Sequence, residues 1–502
     1  IMKKRKNKKQ KYIGIITSLL IITFVIMILS LIFNIIGING QKTAINNGLL
    51  ESSLITVNNI FTKDGIRFLL NNVTSNLDYL KPLIILIMSV MCTSILESSG
   101  LLSHIFSKFG KLKTPIITFA TVLISIIFTF FGEYSYLFLF PLVASIYRVM
   151  DRSSVVGIIT VFLGITLGYG FGIFMNYDQY SLGLLTEQAA ILDVDPSYKF
   201  SIFSTNYIMV IGTALLVFVL TIFIEKNIMS KYKKIEKLEN QYNYSKKGLI
   251  ISGILFIFLF VTLIICSLPQ SFLLDDSSSN YIAKLFGDNS VMKDGLIYIL
   301  LLFLMLIGTI YGKITKNFKD DVKANIGLSK NFDNFGYIFV IMFFSVQLIS
   351  ILNYTNIGTI LITGLTNLLS FMDFSGLFLI VTFIIVTIIT TVFVPSLIDK
   401  WVLMSPIIVP LFMRANITPG FCQFLYVTSN SIGRSITPFF IYFLIMIGFI
   451  QKYESEDVNT TIGSTLKLIL PTILWTVGIM LVFILLWYIS GLPVGIGGYP
   501  TL

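Results

Sequence analysis

The chain has 502 residues, of which 55% are hydrophobic and 12% are charged, and its mean hydropathy is +0.87. Soluble domains carry about 25% charged residues, so this composition excludes an ordinary soluble protein and indicates a polytopic membrane protein. The net charge of +11 lies in short basic clusters between apolar runs, a pattern that the positive-inside rule explains without nucleic-acid binding. Cys92, Cys266 and Cys422 are isolated in apolar segments, which argues against a disulfide framework or a cysteine metal site.

The N-terminal segment MKKRKNKKQK contains seven basic residues and runs directly into a long apolar stretch. That stretch is longer than the apolar region of a signal peptide, which has about 7–15 residues, and it lacks a small-residue cleavage site. We therefore expect a first transmembrane helix with its N-terminus in the cytoplasm. Residues 1–80 are predicted to comprise this basic segment, the first helix and an extracytoplasmic loop.

Further apolar runs of membrane-span length follow along the chain. They lie near residues 83–100, 154–176, 202–224, 248–268, 295–312, 336–352, 417–450 and 467–490. Two longer runs, 114–150 and 376–413, are each interrupted by polar residues near the middle, and we expect them to be re-entrant hairpins. The sequence thus predicts an all-α polytopic membrane protein with nine transmembrane helices and two re-entrant hairpins.

The chain contains an internal repeat. CTSILESSGLL at residues 92–102 resembles LISILNYTNIGTIL at residues 348–361, and each is followed by a short amphipathic segment, a hairpin and a broken helix. Three predicted crossings separate the copies, so they run in opposite directions through the membrane. Inverted repeats with discontinuous helices are typical of secondary transporters, which bind substrate near the membrane midplane. Chance similarity between apolar segments is the alternative explanation.

The repeat divides the chain into five predicted regions. These are residues 1–80, the first repeat half 81–225 with a broken helix near 170–183, the connecting helices 226–330, the second half 331–450 with a broken helix near 426–438, and the last transmembrane helix with the C-terminus at 451–502. The basic clusters between spans then fall on the cytoplasmic side. The segment 451–466 is the exception, because its acidic residues outnumber the basic ones.

The segment YVTSNSIGRSITPFFIYF at residues 426–443 is too polar for a simple lipid-facing helix. A helix broken there is tolerable only against protein or a water-filled cavity, and the freed backbone groups can bind a ligand. The candidate substrate-binding residues of this segment are Asn430, Ser431, Arg434, Thr437 and Pro438. A charge at this depth must pair with an anion, which is either a protein carboxylate or the substrate.

Other polar residues within the membrane complete the candidate site. Asp178 follows the first broken helix, and Glu133 lies at the tip of the first hairpin, where a carboxylate could hold Na⁺ or a proton. The second hairpin tip provides Ser396, Asp399 and Trp401. Asp399 and the adjacent lysine could instead cap the tip at the membrane interface, and Trp401 could be an interfacial anchor rather than a stacking platform.

These residues resemble the p-aminobenzoyl-glutamate transporter (AbgT) family from about residue 97 to 491, most closely between 396 and 443. The family signature Tyr-Arg-x-x-Asp-Ser-x-x-Asn-x-Ile-Thr-Pro falls on Tyr426, Val427, Asn430, Ser431, Arg434, Ile436, Thr437 and Pro438, and its Ser-x-Ser-Ala-Lys-Trp motif falls on Ser396, Ile398, Asp399, Lys400 and Trp401. In the first half, the matching positions are Glu133, Tyr136, Asp178, Gly183, Thr186 and Glu187.

The resemblance implies a bowl-shaped homodimer that moves p-aminobenzoyl-glutamate, related folate fragments or sulfonamide antimetabolites with an ion gradient. Each subunit would have nine transmembrane helices and two opposed hairpins. The signature Arg is Val427 here, its Asp is Asn430, its Asn is Arg434, and the second hairpin Ser is Ile398. We expect Arg434, two helical turns further on, and Asp399 to replace the lost charges.

The predicted function is ion-coupled secondary transport of an anionic small molecule across the bacterial cytoplasmic membrane, in contact with membrane lipid. The substrate-binding candidates are Asp178, Ser396, Trp401, Asn430, Ser431, Arg434, Thr437 and Pro438, and the ion-coupling candidates are Glu133, Asp178, Asp399 and Asn430. No cofactor is expected beyond Na⁺ or H⁺. A Na⁺-coupled carrier of small carboxylates is the alternative, and an ion channel is a further alternative. The presence of a single histidine, His104, and the absence of catalytic motifs argue against an enzyme.

Overall fold

The computed structural model describes residues 14–46, 49–76, 81–232, 242–269, 271, 281–287, 290–333, 335–372, 374–453 and 460–502. Within these residues the chain forms twenty α-helices and one two-stranded sheet. Eight helices are long and apolar enough to cross a membrane, and five apolar helices are shorter. The helical membrane fold is as predicted, but helix length alone does not fix the number of crossings at nine. The N-terminal basic segment and the acidic residues of 454–459 lie outside the described residues.

The N-terminal region contains a β-hairpin where the sequence indicated only a loop. Its elements are α1 (Ile15–Ile36), β1 (Asn39–Asn46), β2 (Leu49–Thr56) and α2 (Lys63–Ser75). The strands pair antiparallel, and Thr43 lies opposite Ser52 with their hydroxyl oxygens 3.3 Å apart. The side chain of Asn58 donates to the carbonyl of Tyr354 at 2.9 Å. This bond joins the N-terminal region to the second half of the molecule.

The first half contains one helical hairpin and one interrupted helix. Its elements are α3 (Lys81–Ser98), α4 (Leu101–Phe106), α5 (Thr114–Phe128), α6 (Tyr134–Val149), α7 (Ser154–Gly168), α8 (Tyr177–Asp193) and α9 (Asn206–Asn227). The interruption covers residues 169–176, whereas the sequence indicated 170–183. The helix resumes early because Asn176 and Gln179 form a reciprocal capping box at the start of α8.

Four helices lie in the described part of the segment that connects the halves. They are α10 (Lys246–Cys266), α11 (Tyr281–Phe286), α12 (Val291–Ile314) and α13 (Asp321–Ser329). Helix α12 packs on both α10 and α3, while α13 also contacts α3. The connecting region is therefore attached to the first half, and Phe286 of α11 also contacts Phe130 of the first hairpin tip, with ring centroids 6.1 Å apart.

The second half repeats the order of the first: a helix, a shorter helix, a hairpin and an interrupted helix. Its elements are α14 (Gly336–Tyr354), α15 (Ile357–Phe371), α16 (Gly376–Phe393), α17 (Ile398–Arg414), α18 (Pro419–Arg434) and α19 (Ile441–Tyr453), after which α20 (Ile462–Ser490) completes the chain.

The interruption of the second half is shorter than the sequence indicated. Helix α18 continues to Arg434, so the break covers residues 435–440 instead of 426–438. The hydroxyls of Ser429 and Ser431 donate to carbonyls one turn earlier, at 2.6 and 2.8 Å, which satisfies them inside a continuous helix. Pro438 has no amide hydrogen, so the helix cannot continue regularly through that position.

Each hairpin packs against the broken helices. Helices α5 and α6 contact α7, while α16 contacts α18 and α17 contacts α8. At one crossing, a Cβ atom placed on Gly433 would lie 2.4 Å from Cβ of Thr391, so only glycine permits this approach of α18 to α16. The packing brings the two hairpin tips and the two helix breaks to one place.

Candidate substrate-binding site

A cavity of about 610 Å³ lies where the two hairpin tips meet. Its wall combines residues 131–134 of the first tip, residues 394–400 of the second tip and start of α17, and residues 439–442 at the end of the second break and the start of α19. Parts of α14 and α15, the start of α8, and the residues Pro82, Leu403 and Arg434 complete the lining. The cavity is therefore built from both halves of the repeat, as expected for a site between inverted repeats.

Arg434, the last residue of α18, connects the two tips. Its Nη2 atom lies 2.7 Å from Oε1 of Glu133 on the first tip, and its Nε donates to the carbonyl of Pro395 on the second at 2.8 Å. The guanidinium also lies over the rings of Tyr169 and Phe440, with its carbon 5.4 and 4.9 Å from the ring centroids. In this structure the anion that pairs with Arg434 is thus a protein carboxylate, that of Glu133.

The first tip depends on a glycine. Gly132 has φ +60°, a conformation in which residues with a Cβ atom are strained, and it places Glu133 directly before α6. Asp178 lies beside this tip and accepts a hydrogen bond from the hydroxyl of Tyr169. Two carboxylates therefore reach the cavity from the first half.

The second tip separates an exposed acid from a buried base. Asp399 is exposed and accepts a hydrogen bond from the hydroxyl of Ser396 at 2.7 Å. Lys400 is 0% exposed and donates to the hydroxyl of Thr391. The capping interpretation fits the exposed Asp399 but is wrong for the buried Lys400, because neighbouring side chains of a helix point about 100° apart and can have different surroundings.

The match to a family model covers residues 14–502 and carries the description AbgT putative transporter family. The chain belongs to the AbgT family. This member is 23% identical over 492 residues to the p-aminobenzoyl-glutamate transport protein of Escherichia coli K12. The alignment covers 95% of this chain and 92% of the relative. The family assignment places the protein among membrane transporters.

Two solved structures resemble the fold of this AbgT member. The YdaH transporter of Alcanivorax borkumensis, described as having an unusual topology, matches with a TM-score of 0.50 and 20% identity, over 96% of this chain and 99% of that one. MtrF of Neisseria gonorrhoeae, described as illuminating a class of antimetabolite efflux pumps, matches with a TM-score of 0.50 and 23% identity, over 97% and 98%. At these identities the likeness shows the fold alone.

Five of the predicted site residues of this AbgT member line the cavity. They are Glu133, Asp178, Ser396, Asp399 and Arg434. The other predicted residues, Trp401, Asn430, Ser431, Thr437 and Pro438, are not part of the lining. The first group comes from both hairpin tips and from the helix ends next to the two breaks, so residues distant in the sequence lie around one cavity.

Trp401 points away from the cavity. Its ring is fully buried, stacks on Tyr426 with centroids 4.3 Å apart, and donates from Nε1 to the hydroxyl of Thr186 at 3.0 Å. Asn430 is also fully buried, and neither atom of its amide group has a hydrogen-bond partner. Trp401 thus joins α17 to α8 and α18 in this structure rather than offering a face to a ligand.

Sequence reasoning missed several lining residues. Tyr177, Asn353, Thr359 and Tyr442 contribute polar groups to the wall. Asn353 and Thr359 lie in the repeated motif at 348–361, so the repeat itself was a signal for them. Nothing local distinguishes Tyr442 from the other aromatic residues of its apolar segment. Within the described part of the chain, no group of three or more His, Cys, Asp and Glu residues is placed to hold a metal ion.

Proposed function

We propose that this protein is an ion-coupled secondary transporter of p-aminobenzoyl-glutamate or a related folate fragment or antimetabolite. It would act in the bacterial cytoplasmic membrane, as a homodimer with its N-terminus in the cytoplasm. The observation that carries the proposal is the cavity of about 610 Å³ with the buried guanidinium of Arg434 in its wall. Pockets for small organic ligands have volumes of roughly 300–1,000 Å³.

The lining suits an aromatic substrate with carboxylates. Phe131, Tyr177, Phe440 and Tyr442 supply ring surfaces around the same space, against which an aminobenzoyl ring can pack. Arg434 and Lys400 supply positive charge for the acidic end of such a molecule. The name of the relative from Escherichia coli supports this substrate class, since the two chains align over almost their whole lengths.

Coupling to an ion would use the acidic residues of the first half. Glu133 pairs with Arg434 and has a side chain that is 33% exposed, while Asp178 lies beside it in the cavity wall. A Na⁺ ion or a proton that neutralises Glu133 would weaken its attraction for Arg434 and release the guanidinium for an anion. Both ions fit this scheme, and Asp399 on the second tip is the remaining acidic candidate.

One observation favours a second candidate, a Na⁺-coupled carrier of small carboxylates. Trp401, the residue expected to stack on an aromatic ligand, is covered by Tyr426 and lies outside the cavity wall. A small carboxylate needs the positive charges of the cavity but no stacking platform. Competition of the transport assay by succinate or citrate separates the two candidates.

The test is uptake of labelled p-aminobenzoyl-glutamate into proteoliposomes that contain the purified protein, with a Na⁺ gradient, an H⁺ gradient or neither. We expect accumulation with one gradient, and its loss in Arg434→Gln. Arg67→Gln is the matched control, because Arg67 lies in α2 with a side chain that is 64% exposed. Accumulation that persists without any gradient would contradict ion coupling. A folded parent that takes up succinate or citrate but not p-aminobenzoyl-glutamate would favour the second candidate.

A further inference from the structure

Lys400 is a buried cation without an acidic partner. Its side chain is fully buried, yet no carboxylate oxygen of the described residues lies within 4.0 Å of its Nζ atom. The contacts of Nζ are a hydrogen bond to the hydroxyl of Thr391 and a position 5.6 Å from the ring centroid of Tyr426. Buried charges in proteins are normally paired, because the cost of removing them from water exceeds what a neutral hydroxyl returns.

Arg434 presents a second unsatisfied group in the same wall. Its Nε and Nη2 atoms are bonded to the two tips, but Nη1 is buried and has no hydrogen-bond partner. Thr391 connects the two cations, since it accepts from Lys400 and packs directly against Gly433, the residue before Arg434. Both Lys400 and Arg434 line the cavity.

Few of the charged groups in the cavity wall are ion-paired with one another. Glu133 is the one carboxylate of the described residues that forms an ion pair with either cation. Asp399, although adjacent to Lys400 in the sequence, is exposed and bonded to Ser396. Of the three carboxylates that line the cavity, Glu133, Asp178 and Asp399, one is thus ion-paired with Arg434 and none with Lys400. A carboxylate in the cavity would satisfy both the ammonium and the free edge of the guanidinium.

We propose that Lys400 Nζ and the Nη1 edge of Arg434 form a subsite that binds a carboxylate group of the transported molecule. This inference deepens the proposed function and rests on it. A carboxylate accepts several charge-assisted hydrogen bonds at once, which a hydroxyl or carbonyl of a neutral ligand does not match. The subsite binds acids more tightly than their esters. Because Arg434 is already paired with Glu133, the remaining part of this preference comes from Lys400.

The experiment compares each acid with its ester. Binding of p-aminobenzoyl-glutamate, p-aminobenzoate, succinate and citrate, and of their methyl esters, is measured on the purified full chain in lipid nanodiscs. The variants are Lys400→Met, which keeps the length of the side chain without its charge, and Lys400→Arg. Lys452→Met is the matched control, because Lys452 is partly buried and, like Lys400, bonded to a neutral group, here the carbonyl of Asn331, but lies outside the cavity wall.

We expect Lys400→Met to weaken binding of the acid at least about tenfold while the ester changes less than about twofold, since a hydrogen bond to a charged group contributes roughly this much. Lys452→Met should leave both unchanged. Equal weakening of acid and ester in Lys400→Met would show that Lys400 only positions the hairpin, and would overturn the subsite. If Lys400→Met does not fold, Lys400→Arg decides, because a new donor geometry alters the ratio of acid to ester binding only when the side chain touches the carboxylate.

Failure of the subsite and failure of the proposed function give different results. If the parent binds p-aminobenzoyl-glutamate but the acid preference survives in Lys400→Met, the function stands and the subsite is wrong. If the parent binds another acid of the panel, and Lys400→Met abolishes that preference, the subsite stands and the substrate assignment is wrong. If the folded parent binds no acid more tightly than its ester, both are wrong.

Discussion

The two hairpin tips have the same place in the repeat but present different groups to Arg434. The first tip presents a carboxylate, Glu133, after a glycine with positive φ. The second presents a backbone carbonyl, Pro395, and then the buried ammonium of Lys400. Arg434 donates to both tips through different nitrogens. The repeated backbone thus brings both tips to Arg434, and the tips differ in the groups that they place there.

The comparison also separates structural from exchangeable contacts. The bond from Arg434 to Pro395 involves a carbonyl that cannot change its charge, whereas the bond to Glu133 depends on an ionisable group. Neutralising the first tip therefore loosens one side of the guanidinium and leaves the other in place. Substitutions at the two tips should consequently change the stability of the protein by different amounts.

The largest effect is expected for Arg434→Met, which removes the link between the tips. Because Glu133 is then left without its partner at a partly buried position, we expect a loss of stability of about 3–5 kcal/mol. The midpoint temperature of heat unfolding in detergent measures the change, with Arg67→Met as the exposed control. An unchanged midpoint would mean that the tips meet without the guanidinium.

Glu133→Gln should have an intermediate effect on the same link. Glutamine retains an oxygen that accepts from Arg434 but loses the charge, so we expect a destabilisation of about 2–3 kcal/mol, below that of Arg434→Met. The double variant Glu133→Gln/Arg434→Met tests coupling through a double-mutant cycle. Strictly additive effects of the two substitutions would contradict a direct ion pair.

Gly132→Ala tests the backbone of the first tip alone. The new Cβ atom would lie 3.5 Å from Asp178 Oδ2 and Tyr169 Oη, an ordinary contact, so the cost comes from the backbone angles, φ +60° and ψ −143°, and should be about 1–2 kcal/mol. Gly463→Ala in α20 is the control, since no atom lies within 4 Å of its added Cβ and its φ is not positive. A helical Gly→Ala exchange there should be neutral or slightly stabilising. Equal midpoints for the two variants would rule out strain at the tip.

The smallest effect is expected for Ser396→Ala at the second tip. Its hydroxyl donates to Asp399, whose side chain is exposed, so water replaces the lost bond and the stability should change by less than about 0.5 kcal/mol. Uptake should remain within about twofold of the parent. A loss of uptake with an unchanged unfolding midpoint would assign Ser396 a direct contact with the substrate.

The elements of the fold could be predicted because their signals are local. The two long apolar runs with polar centres, 114–150 and 376–413, coincide with the helical pairs α5–α6 and α16–α17. The C-terminal signature and the motif of the second hairpin identified the family without any knowledge of contacts. The second helix break begins later than the sequence indicated, because the serine hydroxyls of α18 bond within their own helix and so do not interrupt it.

By itself, the sequence determined a membrane protein of the AbgT family with two interrupted hairpins, since hydropathy and motif spacing are properties of short segments. Only the tertiary structure decided that Arg434 pairs with Glu133, 301 positions away, that Trp401 turns towards Tyr426, and that Lys400 is buried without an acid. These outcomes depend on which faces of distant helices meet. The sequence shows which charged residues a membrane protein must pair, but the packing of its helices decides which of them remain available to a ligand.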